Sequence, residues 1–296
     1  ELIIDYELVR NNIQLIRKKI SSSSKFMAIV KSNAYGHDLN TTVRALNESV
    51  DGFGVVRLEE AMHLREQSDL PILMMQGVYS TEAYDELKKN EIWTTLHSLA
   101  QIPLAHQYVD DLVFWIKINT GMNRLGLQLN ELDKCKSFIK KSNVLMTHLA
   151  CADNPDDELN QIQFSKFDEA WKYTGQSLLR SVVNSAGSIN FPEQSHDWSR
   201  VGIGMYGGLS DMPELKTAMT FRSQIIGFQD LMITGVIVKS EKTAFQNLAL
   251  GTGDGINLDA VEIIGYKVPL IKEDLPLPET PVIPTIIPKG RVRVTF

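Results

Sequence analysis

Cysteine is scarce in this 296-residue chain: Cys135 and Cys151 are the only two, with no Cys-x-x-Cys pair and no metal-type spacing. That excludes a disulfide framework, gives no reason to expect a metal, and is the usage of a reducing compartment. Lys and Arg nowhere cluster into a stripe, and the formal net charge is -6. Both facts argue against nucleic acid as a partner. No uninterrupted apolar run approaches membrane-spanning length, so a membrane partner is not expected. The first residues, Glu1-Leu2-Ile3-Ile4-Asp5, show no basic stretch leading into an apolar one, so a secretory signal is not expected and the cytoplasm is. The length suits one barrel-sized domain plus a smaller one.

What is present concentrates near the start. An apolar run, Phe26-Met27-Ala28-Ile29-Val30, follows the polar residues 21–25 and reads as a buried strand. Lys31 stands where that strand leaves the core, with Tyr35, Gly36 and His37 crowded into the following turn. A lysine there can be desolvated, lowering its pKa and making its amine nucleophilic. The bland alternative is a strand-end lysine that buries its stem and reaches water with its ammonium.

From residue 5 to about 205 strands and helices alternate. Asp5 can cap a helix whose Val9, Ile13, Ile16 and Ile20 recur at helical spacing. Further helical stripes are Val43, Leu46 and Val50; Leu58, Ala61 and Met62; Tyr84 and Leu87 behind a Ser80 cap; Leu132, Cys135, Phe138 and Ile139; and Ile162, Phe167 and Trp171. Strands are expected at 26–30, 53–56, 71–75, 93–96, 112–118, 144–149, 181–184 and 201–205. Eight strands with helices between most of them predict a (β/α)8 TIM barrel; a doubly wound open sheet is the competitor. Lys31, Tyr35, Arg124, His148, Ser185 and Arg200 all fall just after strands, which in a barrel converge on its C-terminal face. Past Gly207 the character changes: 219–228 and 231–238 look like strands, and 275–288 places five prolines among apolar residues. A barrel domain is therefore assigned to 1–212 and a mainly β C-terminal domain to 213–296, which the chain's first strand is able to join.

Several segments carry a resemblance. Val30-Lys31-Ser32-Asn33-Ala34-Tyr35-Gly36-His37 closely resembles the pyridoxal-phosphate attachment signature of the alanine racemase family. In that family's order follow a substrate-site motif (115–126), a histidine motif (147–153), a phosphate motif (184–187) and an arginine motif (197–207). The resemblance implies a barrel followed by a β domain, a homodimer, pyridoxal 5'-phosphate (PLP) as cofactor, and interconversion of L- and D-alanine to supply cell-wall synthesis. It implies that Lys31 binds PLP covalently and then acts as the base on one face of Cα. Tyr35, Ser185 and the backbone amides of Gly202 and Ile203 would hold the phosphate, His148 would lie against the pyridine ring, and Arg200 would face its nitrogen. Arg124 would bind the substrate carboxylate, and Lys117 matches a position where the lysine can be carbamylated. Singly, each residue has a structural use: His148 as a hydrogen-bonded histidine, Ser185 as a cap, Arg200 as a surface partner of Asp197.

The second half departs from the family. Racemisation needs an acid/base on each face of Cα, and the family supplies the second as a tyrosine in a Gly-Tyr-x-Asp-Gly motif of the partner's β domain. Here the matching segment is Gly251-Thr252-Gly253-Asp254-Gly255, so Thr252 stands where tyrosine is expected. A Gly-Arg-Val-Ser-Met-Asp segment expected soon after Val268-Pro269-Leu270-Ile271 is replaced by Lys272-Glu273-Asp274-Leu275, and a late phosphate-contacting tyrosine has no counterpart; Tyr266 sits in ordinary strand context. Either pieces of the β domain are absent and the remainder joined, which explains the losses together, or the protein is a PLP-binding member with impaired or no turnover.

Overall fold

The computed structural model describes residues 1–209, 212–223, 229–231 and 292–294. Two compact units divide the chain, Glu1–Arg222 and Ser223–Phe296. Thr252, Tyr266, the proline-rich 275–288 and most of the expected strand 231–238 lie outside the described residues.

The first unit is a (β/α)8 barrel. Its parallel strands are β2 (Lys25–Ile29), β3 (Gly52–Val55), β4 (Ile72–Met74), β5 (Trp93–Leu96), β6 (Phe114–Lys117), β7 (Val144–Met146), β8 (Leu179–Ser181) and β9 (Trp198–Val201). They pair in the order β8-β7-β6-β5-β4-β3-β2-β9. The ends of that row, β8 and β9, meet without a regular ladder. Asp197 N–H donates to the Arg180 carbonyl at 3.2 Å, Arg200 N–H to the Val183 carbonyl at 3.2 Å, and Ser181 Oγ to the Trp198 carbonyl at 2.7 Å. The barrel is thereby almost closed. Outside it, β1 (Leu2–Ile4) pairs antiparallel with β10 (Met219–Phe221). In the second unit β11 (Gln229–Leu231) pairs antiparallel with β12 (Val292–Val294).

Local chemistry explains the helices. Asp5 Oδ1 accepts from the amides of Glu7 and Leu8, satisfying orphan donors at the start of helix Tyr6–Arg17, whose Val9, Ile13 and Ile16 are buried. Ser80 does the same for Thr81–Lys89 through the Ala83 amide. Four expectations need correction. The segment with Leu132, Cys135 and Phe138 is a 3-10 helix, Leu129–Phe138; its apolar residues recur every third position, the period of that tighter turn. Ile162 is exposed on helix Glu158–Tyr173, while Phe164 and Phe167 are buried. The last barrel strand is Trp198–Val201 rather than 201–205, because Gly202 adopts φ -117° and ψ -97°, which no ladder continues, and Ile203–Tyr206 turns as a 3-10 helix. Strand β8 likewise ends at Ser181, before the expected 181–184.

Two apolar layers result, as alternation along a strand requires. Phe26, Ala28, Phe53, Val55, Phe114, Ile116 and Val201 pack outward against the helices. Met27, Ile29, Leu73, Trp115, Val144, Met146 and Trp198 form a separate cluster in the barrel interior. Among the described residues, no helix is long and apolar enough to cross a membrane.

Candidate active site

Above the interior cluster the same inward positions change chemistry. Met27 and Ile29 on β2 are followed at the next step of two by Lys31, Trp115 on β6 by Lys117, Met146 on β7 by His148, and Trp198 on β9 by Arg200. These groups line a cavity of about 720 Å³ at the C-terminal end of the barrel, with Tyr35, Arg124, Ser185, Gly202 and Ile203. Every residue that the sequence singled out for chemistry is among the lining. Arg124 comes from the loop after β6, which Asn119 shapes by accepting through Oδ1 from the amides of Gly121 (3.1 Å) and Asn123 (3.0 Å).

The cavity is strongly cationic. Lys31, Lys117, Arg124 and Arg200 line it, and Asp153 is the carboxylate among the lining residues. Burial, reinforced by Arg200 and Arg124, brings Lys117 down to about 8. Burial and the surrounding Arg200, Lys117, Arg124 and Lys31 push His148 down to about 3, so its imidazole is neutral at physiological pH. Desolvation lowers Arg200 to about 10, still fully cationic near pH 7. Its terminal nitrogens are committed: Nη1 donates to the Ser181 carbonyl at 2.9 Å and to Ser181 Oγ, and Nη2 to the carbonyls of Thr147 and, at 3.3 Å, Val182. Among the described residues the guanidinium is locked in place without a carboxylate partner, and Nε is its donor left without a protein partner. Two buried cations, Lys117 and Arg200, with Lys31 and the exposed Arg124 nearer the mouth, make a site suited to an anionic ligand.

One wall of the cavity is a cradle. Ser185 Oγ accepts from the amides of Gly202 at 2.9 Å and Gly204 at 3.1 Å. With both lone pairs so occupied, its own O–H can only donate. A Cβ on Gly202 would lie 2.5 Å from Tyr35 Oη, so glycine is what lets the phenol reach this wall. Tyr35 itself is delivered by an unusual turn. Ser32, Asn33, Ala34 and Tyr35 have φ of 54°, 53°, 55° and 55°, a left-handed turn of non-glycine residues, each costing on the order of 1 kcal/mol. Strain of this kind persists where the surroundings over-determine it, as at functional sites. Asn33 Oδ1 accepts from Leu39 N–H at 2.7 Å, and the His37 ring stacks on Tyr206 with centroids 4.3 Å apart. Hydroxyl donors from Ser185 and Tyr35 beside a cationic chamber, with a lysine at its edge, fit a phosphorylated aldehyde: an oxyanion end, and an end that an amine can hold.

Comparison with known proteins agrees with this geometry. The family description "Alanine racemase, N-terminal domain" matches residues 4–210. The alanine racemase of Shewanella oneidensis is 32% identical over 295 residues, covering 90% of this chain and 81% of that protein. The chain belongs to the alanine racemase family. In three dimensions it matches the alanine racemase of Acinetobacter baumannii with a TM-score of 0.73 and 30% identity, over 80% of this chain and 70% of that one. The alanine racemase of Bartonella henselae with covalently bound pyridoxal phosphate shares the fold at a TM-score of 0.66 and 24% identity, over 74% of this chain and 67% of that one. Dependence on PLP is a property of the alanine racemase family.

Sequence reasoning about this family member gave no individual role to several other lining residues. Gln76, Tyr79, His97, Leu125 and Asp153 also line the cavity. His97 Nε2 is 2.7 Å from the Gln76 carbonyl and 3.3 Å from Tyr79 Oη, and burial lowers its pKa. The signal was available, since His97 directly follows β5 just as Lys31 closely follows β2.

Proposed function

We propose that this chain interconverts L- and D-alanine by removing the Cα proton and returning one, with PLP held in the cationic cavity. The observation that carries the reading is convergence: Lys31, Tyr35, Arg124, His148, Ser185, Arg200, Gly202 and Ile203, far apart in sequence, line one chamber. When bound, PLP supplies the electron sink that makes the substrate's Cα–H acidic. Lys31 holds the cofactor's aldehyde end and, when freed, its amine moves the proton at one face of Cα. Ser185 and Tyr35 donate to the phosphate, with Gly202 keeping that wall open and the Ile203 amide beside it. His148, neutral at working pH, gives a flat surface for a ring without adding charge.

Arg200 would face the pyridine nitrogen with its guanidinium. A permanent cation there keeps that nitrogen unprotonated and moderates the sink, which suits plain proton exchange over transamination. Arg124 offers a planar fork to the substrate carboxylate. Lys117, at about 8, keeps enough free amine near neutrality to take up carbon dioxide as a carbamate; that anion would face Arg124 and relieve the crowded positive charge. Native mass spectrometry showing an unmodified Lys117 in bicarbonate buffer overturns the carbamate.

A second reading comes from Thr252. A threonine hydroxyl is too short and too weakly acidic to replace a tyrosine as the acid/base on the other face, and Gly251-Thr252-Gly253-Asp254-Gly255 therefore favours a PLP-binding protein with impaired turnover. Incubation with L-alanine in deuterated water separates the two. Deuterium at Cα with inversion supports the racemase; exchange with retention supports a one-sided site; no exchange in the PLP-loaded protein overturns both active readings. We further propose a homodimer, supported by an apolar rim at the cavity mouth: Tyr79 is 50%, Leu125 40% and Ile203 43% exposed. A monomer by sedimentation at micromolar concentration overturns it. The same reading puts the reaction in the cytoplasm, feeding D-alanine to cell-wall synthesis.

A further inference from the structure

Lys31 opens a short turn, Lys31–Tyr35, where the strand has already ended. Strand β2 ends at Ile29, and three residues later the chain enters the left-handed turn at Ser32. What fixes the peptide between Lys31 and Ser32 comes from another part of the barrel. Glu60, half-buried in the first turn of helix Leu58–Arg65, accepts the Ser32 N–H through Oε1 at 2.7 Å. Through Oε2 it accepts the amides of Val56 and Arg57, both at 3.1 Å.

The two oxygens do different work. The bonds from Val56 and Arg57 satisfy amides where β3 runs into the helix, the ordinary use of a glutamate at this position of a capping box. The bond from Ser32 reaches 28 residues back in the chain and has no role in that cap. It is a charge-assisted bond, the stronger kind. It lands on the amide that immediately follows Lys31, where a sterically disfavoured turn begins. One carboxylate thus ties the C-terminal end of β2 to that of β3, and the direction in which Lys31 leaves the backbone follows from it.

We propose that Glu60 is a positioning residue for Lys31. It acts through the Lys31–Ser32 peptide and touches neither substrate nor cofactor. The inference rests on the reading of Lys31 as the amine that holds PLP and moves the Cα proton. Misplacing that amine by an ångström or less costs rate while leaving substrate recognition to Arg124 undisturbed.

Glu60→Gln isolates the cross-link. A glutamine can keep its carbonyl oxygen on Val56 and Arg57, preserving the cap, while its amide nitrogen cannot accept from Ser32. The full-length protein and its Glu60→Gln, Glu60→Ala and Glu59→Gln variants are each loaded with PLP. Four quantities are read: the rate of PLP capture by Lys31, followed by absorbance and by borohydride reduction with peptide mass analysis; kcat; KM for L-alanine; and the thermal midpoint. For Glu60→Gln, capture and kcat should fall about ten- to a hundredfold while KM stays within about threefold of the unaltered protein. The thermal midpoint should hold, and Glu59→Gln, altered at an exposed neighbour, should match the unaltered protein. Glu60→Ala should lower the midpoint as well, with a kcat no worse than that of Glu60→Gln. Unchanged capture and kcat in Glu60→Gln overturn the proposal, as does a kcat loss that merely tracks the folded fraction. If the unaltered protein itself fails to modify Lys31, it is the assignment of Lys31 that falls.

Discussion

The two ends of the barrel interior are made by the same strands and could hardly differ more. At the floor, Trp93, Trp115 and Trp198 pack with ring centroids 5.6 to 6.4 Å apart, among Met27, Leu73 and Val144. Gly54 on β3 makes room there, since a Cβ at that position would lie 2.6 Å from Ile29 Cδ1. At the ceiling, one step of two residues further along, stand Lys31, Lys117, His148 and Arg200. The floor buries apolar surface and gains stability from it; the ceiling buries positive charge and loses stability by it. A strand two residues longer than its packed section is enough to set the second kind of layer on the first. The comparison teaches that stability and chemistry are separable here by sequence position, and mutation should show them separating.

The sharpest break is Lys31→Ala. Racemisation should fall by about three orders of magnitude or more, because one amine both holds the cofactor and moves the proton. The thermal midpoint without PLP should stay within a few degrees. A variant retaining a tenth of the activity would contradict the ceiling's assignment. Trp198→Ala should do the reverse. Truncating this fully packed side chain should cost about 3–5 kcal/mol and lower the midpoint by roughly 10 °C, while the surviving folded protein, titrated with PLP, binds it normally. A stable Trp198→Ala protein with lost cofactor binding would mean that the two layers are not independent.

Much of this division was legible in the residues. The barrel followed from strand-helix alternation, and the cavity from polar residues placed just after apolar runs. What misled was placing Arg200 outside its strand. It lies within β9, pointing inward at the alternation set by Trp198, as Lys117, inside its expected strand, does at the end of β6 after Trp115. Reading Trp-x-Lys and Trp-x-Arg as two-residue steps would have found this. The left-handed turn at Ser32–Tyr35 could not be read, because serine, asparagine, alanine and tyrosine ordinarily avoid positive φ. Local bonds, such as Ala34 N–H to the Val30 carbonyl at 2.9 Å, and the distant bond from Ser32 N–H to Glu60 hold it together. The apolar Ile203 and Met205 drew the last strand too late; Met205 is instead buried beside helix Tyr6–Arg17, where Asn12 Nδ2 donates to its carbonyl at 3.1 Å.

A smaller effect is expected at the cradle. In Gly202→Ala the new methyl group would meet Tyr35 Oη at 2.5 Å, and the phenol, or the strand end, has to shift. PLP should be retained about tenfold less tightly, a change of about 1.4 kcal/mol, with stability nearly unchanged because Gly202 has a negative φ. Equilibrium dialysis of the reduced-affinity variant against the unaltered protein measures it. Equal retention would remove the Gly202 wall from the phosphate site.

The gentlest test asks whether the ceiling's charge is a burden. Lys117 titrates at about 8 in the fold against its usual 10.5, chiefly through burial. Between those values the unfolded chain carries a proton that the folded one does not, so stability rises with pH across this window. Below pH 8 the cost of burying the ammonium is present in full. Lys117→Met should therefore stabilise the cofactor-free protein at pH 7, on the order of 1 kcal/mol once residual solvent screening is allowed for. The advantage should have mostly gone by about pH 10.5, where the lysine is neutral in the fold and half-neutral in the unfolded chain. Urea unfolding of the two proteins at pH 7, 9 and 10.5 supplies the curves. Bicarbonate at pH 8 should narrow the gap in the lysine protein alone if the amine takes up carbon dioxide. Curves that run parallel from pH 7 to 10.5 would mean that Lys117 is already neutralised by a partner, and the ceiling would then carry less positive charge than its side chains imply.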